Sequence, residues 1–560
     1  MSLPQHLSLS ALLLLASPLS AAKGPFSRPQ LPCRVVPGSP DWPSATSWAR
    51  FNESTGGRLL RPSPPGAVCH PGQPAFDAAE CAAVNASWSS YEFHSASPVS
   101  VDWNNWANDS CLPWDGYPCS SQGYPVFVVN ASTARHVKAG VDFAAKHGIR
   151  LVVKSTGHDY IGRSNAPNSL SIWTHHLKLE PQTHTSFHPK NCKASINTTA
   201  VTVGAGTQMD ELYSFLDTLN QTTVGGGGKT VSMGGYLTGG GHGLLAPRYG
   251  LAADQVLELG VVTPTGQIVT ANECTNPELF WALRGGGGST FGILTSVTLR
   301  TFPTPKITSR LTIIVTTNLT EPAVFDMVAY VLSQFPSLGD QGLSGYSYFF
   351  PAFPNPFDGG NTTVAGLVLS MVLQDSTSAA MDKLWNPITS HIDKTWPDAF
   401  QTVQVPDEYP SFYAWFEEHY DTTAAGTNTV GGSRLLGEDE LTANLTLNAQ
   451  VFRQFASNGV GTAFLVAGKG VHDAEPRGGG NAANPAWRRA YVHASKLLTP
   501  NGVEFPPLNL TAKREAMARL DHSLTGIREL APTSGAYMNE ANPEEPDWQH
   551  QFWGENYEKL

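Results

Sequence analysis

Charge is scarce in this 560-residue chain: 14% of residues are charged, against about 25% in an average soluble protein. The net charge of −11 excludes a nucleic-acid partner, which demands a basic footprint, and there is no basic run with interleaved aromatics. Beyond the first two dozen residues no segment approaches eighteen uninterrupted apolar positions, so a membrane-spanning protein is not expected. Cysteine is sparse too: seven in all, five of them at 33, 69, 81, 111 and 119, a spacing that matches no zinc pattern. The adjacent His175 and His176 lack the spacing for a shared ligand face, so no metal site is expected. Internal repeats and low-complexity tails are missing as well. What is present is 41% hydrophobic and 10% aromatic residues, enough for two or three sizeable cores.

A surface so poor in charge needs another source of solubility. The segment "LSLSALLLLASPLSAA" is an apolar run too short to span a bilayer, with Ser20 and Ala22 suited to cleavage after Ala22. Ten N-x-[ST] sequons follow, at Asn52, Asn85, Asn108, Asn130, Asn197, Asn220, Asn318, Asn361, Asn444 and Asn509. Together they predict a secreted, extracellular protein carrying N-linked glycans. Disulfides pinning a Pro-, Trp- and Cys-rich N-terminal segment are expected, with the pairing open and at least one thiol left over by the odd count.

The pattern along the chain divides it into a signal peptide (1–22), a disulfide-rich extension of little periodicity (23–120), a first α/β region (121–303), an α+β region (304–500) and a C-terminal segment (501–560). "VFVV", "STARHVKAGVDFAAKHG" and "IRLVVKS" read as strand, helix and strand, the helix starting at a capping residue and stopping at glycine. "DQVLELGVVTPTGQIVTA" reads as a hairpin turning on Thr265 and Gly266. Past Pro303, "ITSRLTIIVTT", "GYSYFFPAF", "TTVAGLVLSMVLQ" and "GTAFLVAGKG" read as antiparallel strands between amphipathic helices.

Two loops carry chemistry. "KSTGHDYIG" leaves a strand into a glycine-containing turn, where backbone N–H groups and the Ser155 and Thr156 hydroxyls can converge on an anion. "GGGGKTVSMGGYLTGGGHG" (225–243) offers bare backbone for close approach to a ligand. Its GGGGKT fragment nearly matches a nucleotide-triphosphate loop, but Thr223 stands where that motif needs its first glycine. "VGAGTQ" lacks the third glycine of a dinucleotide fingerprint.

Four segments, "KSTGHDYIGRS" (154–164), "GGYLTGGGHGLLAPRYGLAADQVL" (234–257), "NPELFWALRGGGGSTFGI" (276–293) and "AYMNEANPEEPDWQHQFWGENYEKL" (536–560), with "NPAWRRAYVHA" (484–494) as a weaker fifth, resemble vanillyl-alcohol-oxidase-type flavoprotein oxidases of the berberine-bridge-enzyme-like branch. Fungal secreted members similar to isoamyl alcohol oxidases are nearest. The resemblance implies an α+β architecture: a PCMH-type FAD-binding domain, a substrate domain with a large antiparallel sheet, and a C-terminal segment returning to the first domain. It implies FAD bonded through the 8α position to His158, in a cradle of Ser155, Thr156, Gly157, Asp159, Tyr160 and Ser164. The second loop would contribute Val231, Gly234, Gly235, Thr238, Gly239, Gly240, Gly241, His242 and Gly243, with Gly292, Ile293 and Asn539 completing the cofactor contacts. Gly228 stands where many relatives place a cysteine bonded to flavin C6, so a single covalent link is expected. Tyr236 replaces a frequent histidine. The family pattern usually runs on past "GENY"; the sequence here ends at Leu560.

On the substrate side the resemblance implies catalytic roles for Tyr537, Asn539, Glu540 and Tyr160, with Glu540 in place of a tyrosine that often assists proton removal. The expected activity is oxidation of a small-molecule alcohol at its CH–OH carbon, with O2 reduced to H2O2, by a monomer. Alternatives are a carbohydrate oxidase, a biosynthetic dehydrogenase or oxidative cyclase, and a flavin-holding protein without turnover.

Overall fold

The strand–helix–strand signal near residue 130 folds as its local chemistry dictates. Helix Ala134–His147 begins where the Thr133 hydroxyl accepts the His136 N–H and ends at Gly148, whose φ of 63° suits glycine. The flanking strands Phe127–Asn130 and Leu151–Lys154 both pair in parallel with Leu170–Trp173, and Leu59–Leu60 closes one edge of this four-stranded sheet. The computed structural model describes residues 33–498 and 510–560; the expected signal peptide and the Asn509 sequon lie outside the described residues.

An antiparallel sheet of five strands follows, in the order Gln182–His184, Ala200–Gly204, Ile293–Arg300, Val256–Val262 and Ile268–Asn272. The last two form the expected hairpin, with Gly266 at φ 74° in its turn.

The third sheet has eight antiparallel strands drawn from 307–498, among them Ile307–Thr316, Leu343–Pro354, Thr363–Gln374 and Ala490–Leu498. Helices Val324–Ser333, Ser378–Thr395 and Leu445–Phe455 cover one face. Alternation along Leu343–Pro354 decides what each face holds: Leu343 and Phe349 pack into the helix-side core, while Tyr346 and Tyr348 point to a cavity on the other side. Ser344 on that second face donates to the Leu244 carbonyl at 2.9 Å, joining the sheet to the chain just past the glycine-rich run.

The N-terminal segment is more regular than its sequence suggests. It holds helices Ala45–Ser54, Ala78–Ser87 and Tyr91–Ala96, capped by Ser44, Asp77 and Ser90. Helices this short repeat their apolar face too few times to show periodicity. Disulfides Cys69–Cys81 and Cys111–Cys119 lie in this segment, while Cys192–Cys274 sits beside the five-stranded sheet; Cys33 is exposed and free. The C-terminal segment reaches across the molecule: Leu435 N–H donates to the Gly535 carbonyl, and the Trp553 indole donates to the Gly285 carbonyl at 3.1 Å. Among the described residues no helix is long and apolar enough to cross a membrane.

Cys192 and Cys274 are 82 residues apart, so their bond removes considerable freedom from the unfolded chain. Replacing both by serine is expected to cost about 2–4 kcal/mol of stability. Chemical denaturation would read this as an earlier midpoint, with the visible absorption of the folded protein unchanged.

Candidate active site

A cavity of about 510 Å³ lies where the two smaller sheets, the open face of the large sheet and the C-terminal segment meet. This falls within the roughly 300–1,000 Å³ usual for small-molecule and cofactor sites. Its first wall is the loop after strand Leu151–Lys154. Gly157 there has φ 107°, and a side chain on it would press on Val101 and Lys154. Ser155 accepts a 2.6 Å hydrogen bond from Ser232, which locks the first loop to the glycine-rich run.

His158 is held on every side. Its Nε2 is 2.7 Å from the Thr230 hydroxyl, its Nδ1 is 3.2 Å from an Asp102 carboxylate oxygen, and its ring stacks on Tyr91 at 4.9 Å. Burial, then the nearby Lys154 ammonium and His94, push its pKa down to about 3, so the imidazole is neutral at ordinary pH. Asp102 is fully buried and its carboxyl is raised by that burial, against the attraction of Lys154. Lys154 in turn donates to the carbonyls of His94, Ser95 and Ser97 at 2.8–3.4 Å, anchoring the loop to the N-terminal segment.

The glycine-rich run forms the second wall, and its glycines divide by purpose. Gly226, Gly227, Gly228, Gly234 and Gly235 line the cavity, and a Cβ on Gly235 would meet nothing within 4 Å. Gly239, Gly241 and Gly243, expected against the cofactor, do not border the cavity. A Cβ on each would strike protein: Asn539 at 2.2 Å, the Tyr236 ring at 2.8 Å and the Gly225 carbonyl at 2.0 Å respectively. Gly240, at φ 118°, is likewise outside the lining. Tyr236 keeps its ring at the cavity while its hydroxyl donates to the His242 carbonyl. Val231, Thr238, Gly292 and Ile293 also line it, as do Thr156, Asp159, Tyr160 and Ser164 from the first loop. No nucleotide-triphosphate loop forms: Lys229 lies over the Tyr420 ring at 4.0 Å, and the helix that follows, Met233–Thr238, is only six residues long.

The third wall is the C-terminal segment. Arg163 binds both Asp159 and the Asn539 side-chain oxygen (2.9 Å), and the Asn539 amide donates to the Tyr537 hydroxyl at 2.9 Å. Tyr160 stacks on Trp103 at 4.7 Å. Burial pushes the phenols of Tyr160 and Tyr537 up, so both keep their protons.

Glu540 faces two imidazoles. His242 Nε2 is 3.2 Å from one carboxylate oxygen and His493 Nδ1 is 3.7 Å from the other. Burial raises the Glu540 carboxyl, but the charge and hydrogen bond of His242, then His493, outweigh it and leave the carboxyl below its usual range. His493 is fully buried, neither nitrogen has a hydrogen-bond partner among the described residues, and burial pushes its pKa down to about 3.

Sequence reasoning missed Tyr91, Asp102, Thr230 and His493. His493 lay inside the quoted segment "NPAWRRAYVHA", the one signal that could have found it. Asp102 and Tyr91 come from a segment with no motif at all.

The residues present fit a dinucleotide flavin. Bare glycine backbone and a hydroxyl-bearing turn face one cavity, with open space where a side chain on Gly235 would stand. Comparison with known proteins agrees. Residues 125–272 match the FAD binding domain family and residues 536–560 match the berberine and berberine-like family. The chain is 32% identical to the FAD-linked oxidoreductase patO of Aspergillus clavatus, over 99% of this chain and 93% of that protein. It is 31% identical to the FAD-linked oxidoreductase ZEB1 of Gibberella zeae, over 96% and 90%. Among solved structures it resembles the VAO-type flavoprotein MtVAO713 of Myceliophthora thermophila C1, with a TM-score of 0.86 and 27% identity over 94% of this chain and 93% of that one. A chitooligosaccharide oxidase shares the fold at a TM-score of 0.60 and 17% identity, over 85% and 95%. The chain therefore belongs to the FAD-linked oxidoreductases of the berberine-bridge-enzyme-like, VAO-type branch.

Proposed function

We propose that this chain is a secreted FAD-dependent oxidase that oxidises a small-molecule alcohol at its CH–OH carbon and forms H2O2 from O2. The observation that carries this reading is the placement, on walls of one cavity, of a neutral histidine and a carboxylate kept ionised below its usual range. FAD, when bound, supplies the two-electron acceptor for the hydride and the route of those electrons to oxygen.

In this reading residues 121–303 hold the cofactor, 304–500 shape the substrate wall and 501–560 complete both. His158 carries the single covalent link. Its support is the uncharged ring, a competent nucleophile, fixed between Asp102, Thr230 and Tyr91. Gly228 leaves no thiol for a second link. The first-loop turn and its Ser155 and Thr156 hydroxyls take the pyrophosphate.

Glu540 is the general base that accepts the alcohol proton. Its carboxyl is ionised across neutral and mildly acidic pH, whereas Tyr537 and Tyr160 hold their protons and serve as donors to the substrate oxygen. Asn539 orients Tyr537. The rings of Tyr346, Tyr348 and Phe464 on the same cavity also support a second reading, stacking of a sugar ring in a carbohydrate oxidase. Secretion is supported by the leader-like N-terminus, the ten sequons and three disulfides.

Acid precipitation tests the link: the pellet of the holoprotein is expected to stay yellow, and the His158→Ala pellet to be colourless with its flavin in the supernatant. A colourless wild-type pellet refutes the covalent bond.

A panel of alcohols, sugars and hydroxy acids, scored by anaerobic bleaching and by peroxide release in air, separates the alcohol and sugar readings. Slow reoxidation of the bleached protein by air would mark a dehydrogenase instead. With the substrate found, Glu540→Gln is expected to slow flavin reduction by about 10²–10⁴-fold while flavin stays bound. Because His242 lowers the Glu540 pKa, His242→Ala should move the acid limb of the rate–pH profile to higher pH. An unmoved limb assigns that limb to another group.

A further inference from the structure

A second, smaller cavity of about 180 Å³ lies on the helical side of the large sheet, away from the flavin site. It is below the roughly 300 Å³ at which pockets for drug-sized ligands begin, and suits one compact ring. Three aromatic rings frame it. Tyr330, on helix Val324–Ser333, stacks on His391 at 4.0 Å and 22°, and Trp396 meets both edge-on at 6.5 and 6.2 Å. Asp326, one turn before Tyr330, lines the same cavity; its exposed carboxylate makes no hydrogen bond or ion pair among the described residues. Aromatic faces with a free acceptor beside them recognise ligands that are apolar on one face and rich in donors at the rim, as a pyranose ring is.

The remaining wall is Leu445 and Thr446. These are the second and third residues of the sequon at Asn444, so a glycan attached there starts at the rim of the cavity. Asn444 is exposed and caps helix Leu445–Phe455, its side-chain oxygen accepting the Leu447 N–H at 3.0 Å. That bond uses the oxygen alone. The amide nitrogen, the atom that carries an N-glycan, makes no hydrogen bond among the described residues, and glycosylation leaves the capping oxygen in place. At two other sequons the nitrogen is engaged: that of Asn85 donates to the Cys81 carbonyl at 3.1 Å, and that of Asn361 to the Asp358 carbonyl at 2.5 Å.

We propose that this aromatic cavity is a saccharide site filled in cis by the innermost N-acetylglucosamine of a glycan on Asn444. The sugar face rests on the Tyr330 and Trp396 rings, and Asp326 accepts from its amide or hydroxyl groups. Tethering at the rim gives an effective concentration in the millimolar range or above, so weak intrinsic affinity suffices. The inference rests on the secretory route proposed above.

The test uses holoprotein secreted from a fungal host and trimmed by an endoglycosidase to one N-acetylglucosamine per site. Peptide mass spectrometry should find Asn444 occupied. The proton spectrum should show one N-acetyl methyl signal shifted upfield by the rings. That signal should vanish in Asn444→Asp, which keeps a capping oxygen, and persist in Thr446→Ser, which keeps the sequon. It should return to the ordinary position in Trp396→Leu and in Tyr330→Ala, with Asn444 still occupied. Free chitobiose, followed by saturation transfer, should bind Asn444→Asp and not the wild type. A bare Asn444 beside occupied sequons overturns the proposal, as does an occupied Asn444 without a shifted methyl. Chitobiose binding equally to wild type and variant overturns the cis occupant. If every sequon is bare, the secretory reading itself falls.

Discussion

The active site depends on one guanidinium. Arg163 joins Asp159 of the first loop to Asn539 of the C-terminal segment, two stretches 380 residues apart in sequence by their numbering. Through Asn539 it reaches the Tyr537 hydroxyl, and Asn539 also packs where a side chain on Gly239 would stand. The first loop, the glycine-rich run and the C-terminal segment therefore share a single contact region. A planar fork with several donors can bridge two oxygen acceptors at once; a lysine's point charge cannot hold both in one plane. Gly239 follows from the same requirement, because Asn539 leaves no room for a Cβ there, while Gly241 and Gly243 are closed in by Tyr236 and Gly225 of their own run.

Much of this was legible beforehand. The helix Ala134–His147 announced itself by Thr133 and Gly148, and the 256–272 hairpin by its turn residues, because those signals are local. His158, Glu540 and Tyr537 stood out because they sit in short, recognisable segments, and the structure brings all three to the cavity. The partners that set their chemistry were not legible. Asp102 and Tyr91 meet His158 across more than fifty residues, and His493 meets Glu540 from a strand on the far sheet. Such contacts are products of tertiary folding, and no spacing rule encodes them. The strands Gln401–Tyr409 and Val430–Gly437 escaped notice for a different reason: the first is polar along most of its length and the second is glycine-rich, so neither shows clean alternation.

The two chemical groups of the cavity need opposite protonation behaviour, and the fold meets both needs with burial. At His158 burial disfavours the charged ring, and the nearest ammonium, Lys154, pushes the same way. Asp102 could have reversed this by drawing a proton onto the imidazole. Its own burial raises its carboxyl and weakens that pull. At Glu540 burial alone would have raised the carboxyl and favoured its neutral form, yet His242 within 3.2 Å turns the balance. Desolvation is thus decisive at one end of the cavity and overcome at the other, and the difference is one correctly placed imidazole.

His493 shows what that balance costs. A fully buried imidazole with both nitrogens unpaired is an expensive thing to place on an interior strand of the sheet, since each orphaned polar group forfeits about 1–3 kcal/mol of solvation. An apolar residue at that position would pack without this loss. Retaining histidine makes physical sense where its dipole faces a carboxylate held ionised on the cavity wall. His242 supplies the hydrogen bond, and His493, 3.7 Å from the other oxygen, supplies a second favourable field without a second hydrogen bond to hold the carboxylate rigid. A carboxylate restrained at one oxygen and left open at the other keeps free lone pairs facing the cavity, as the proposed role of Glu540 as general base requires.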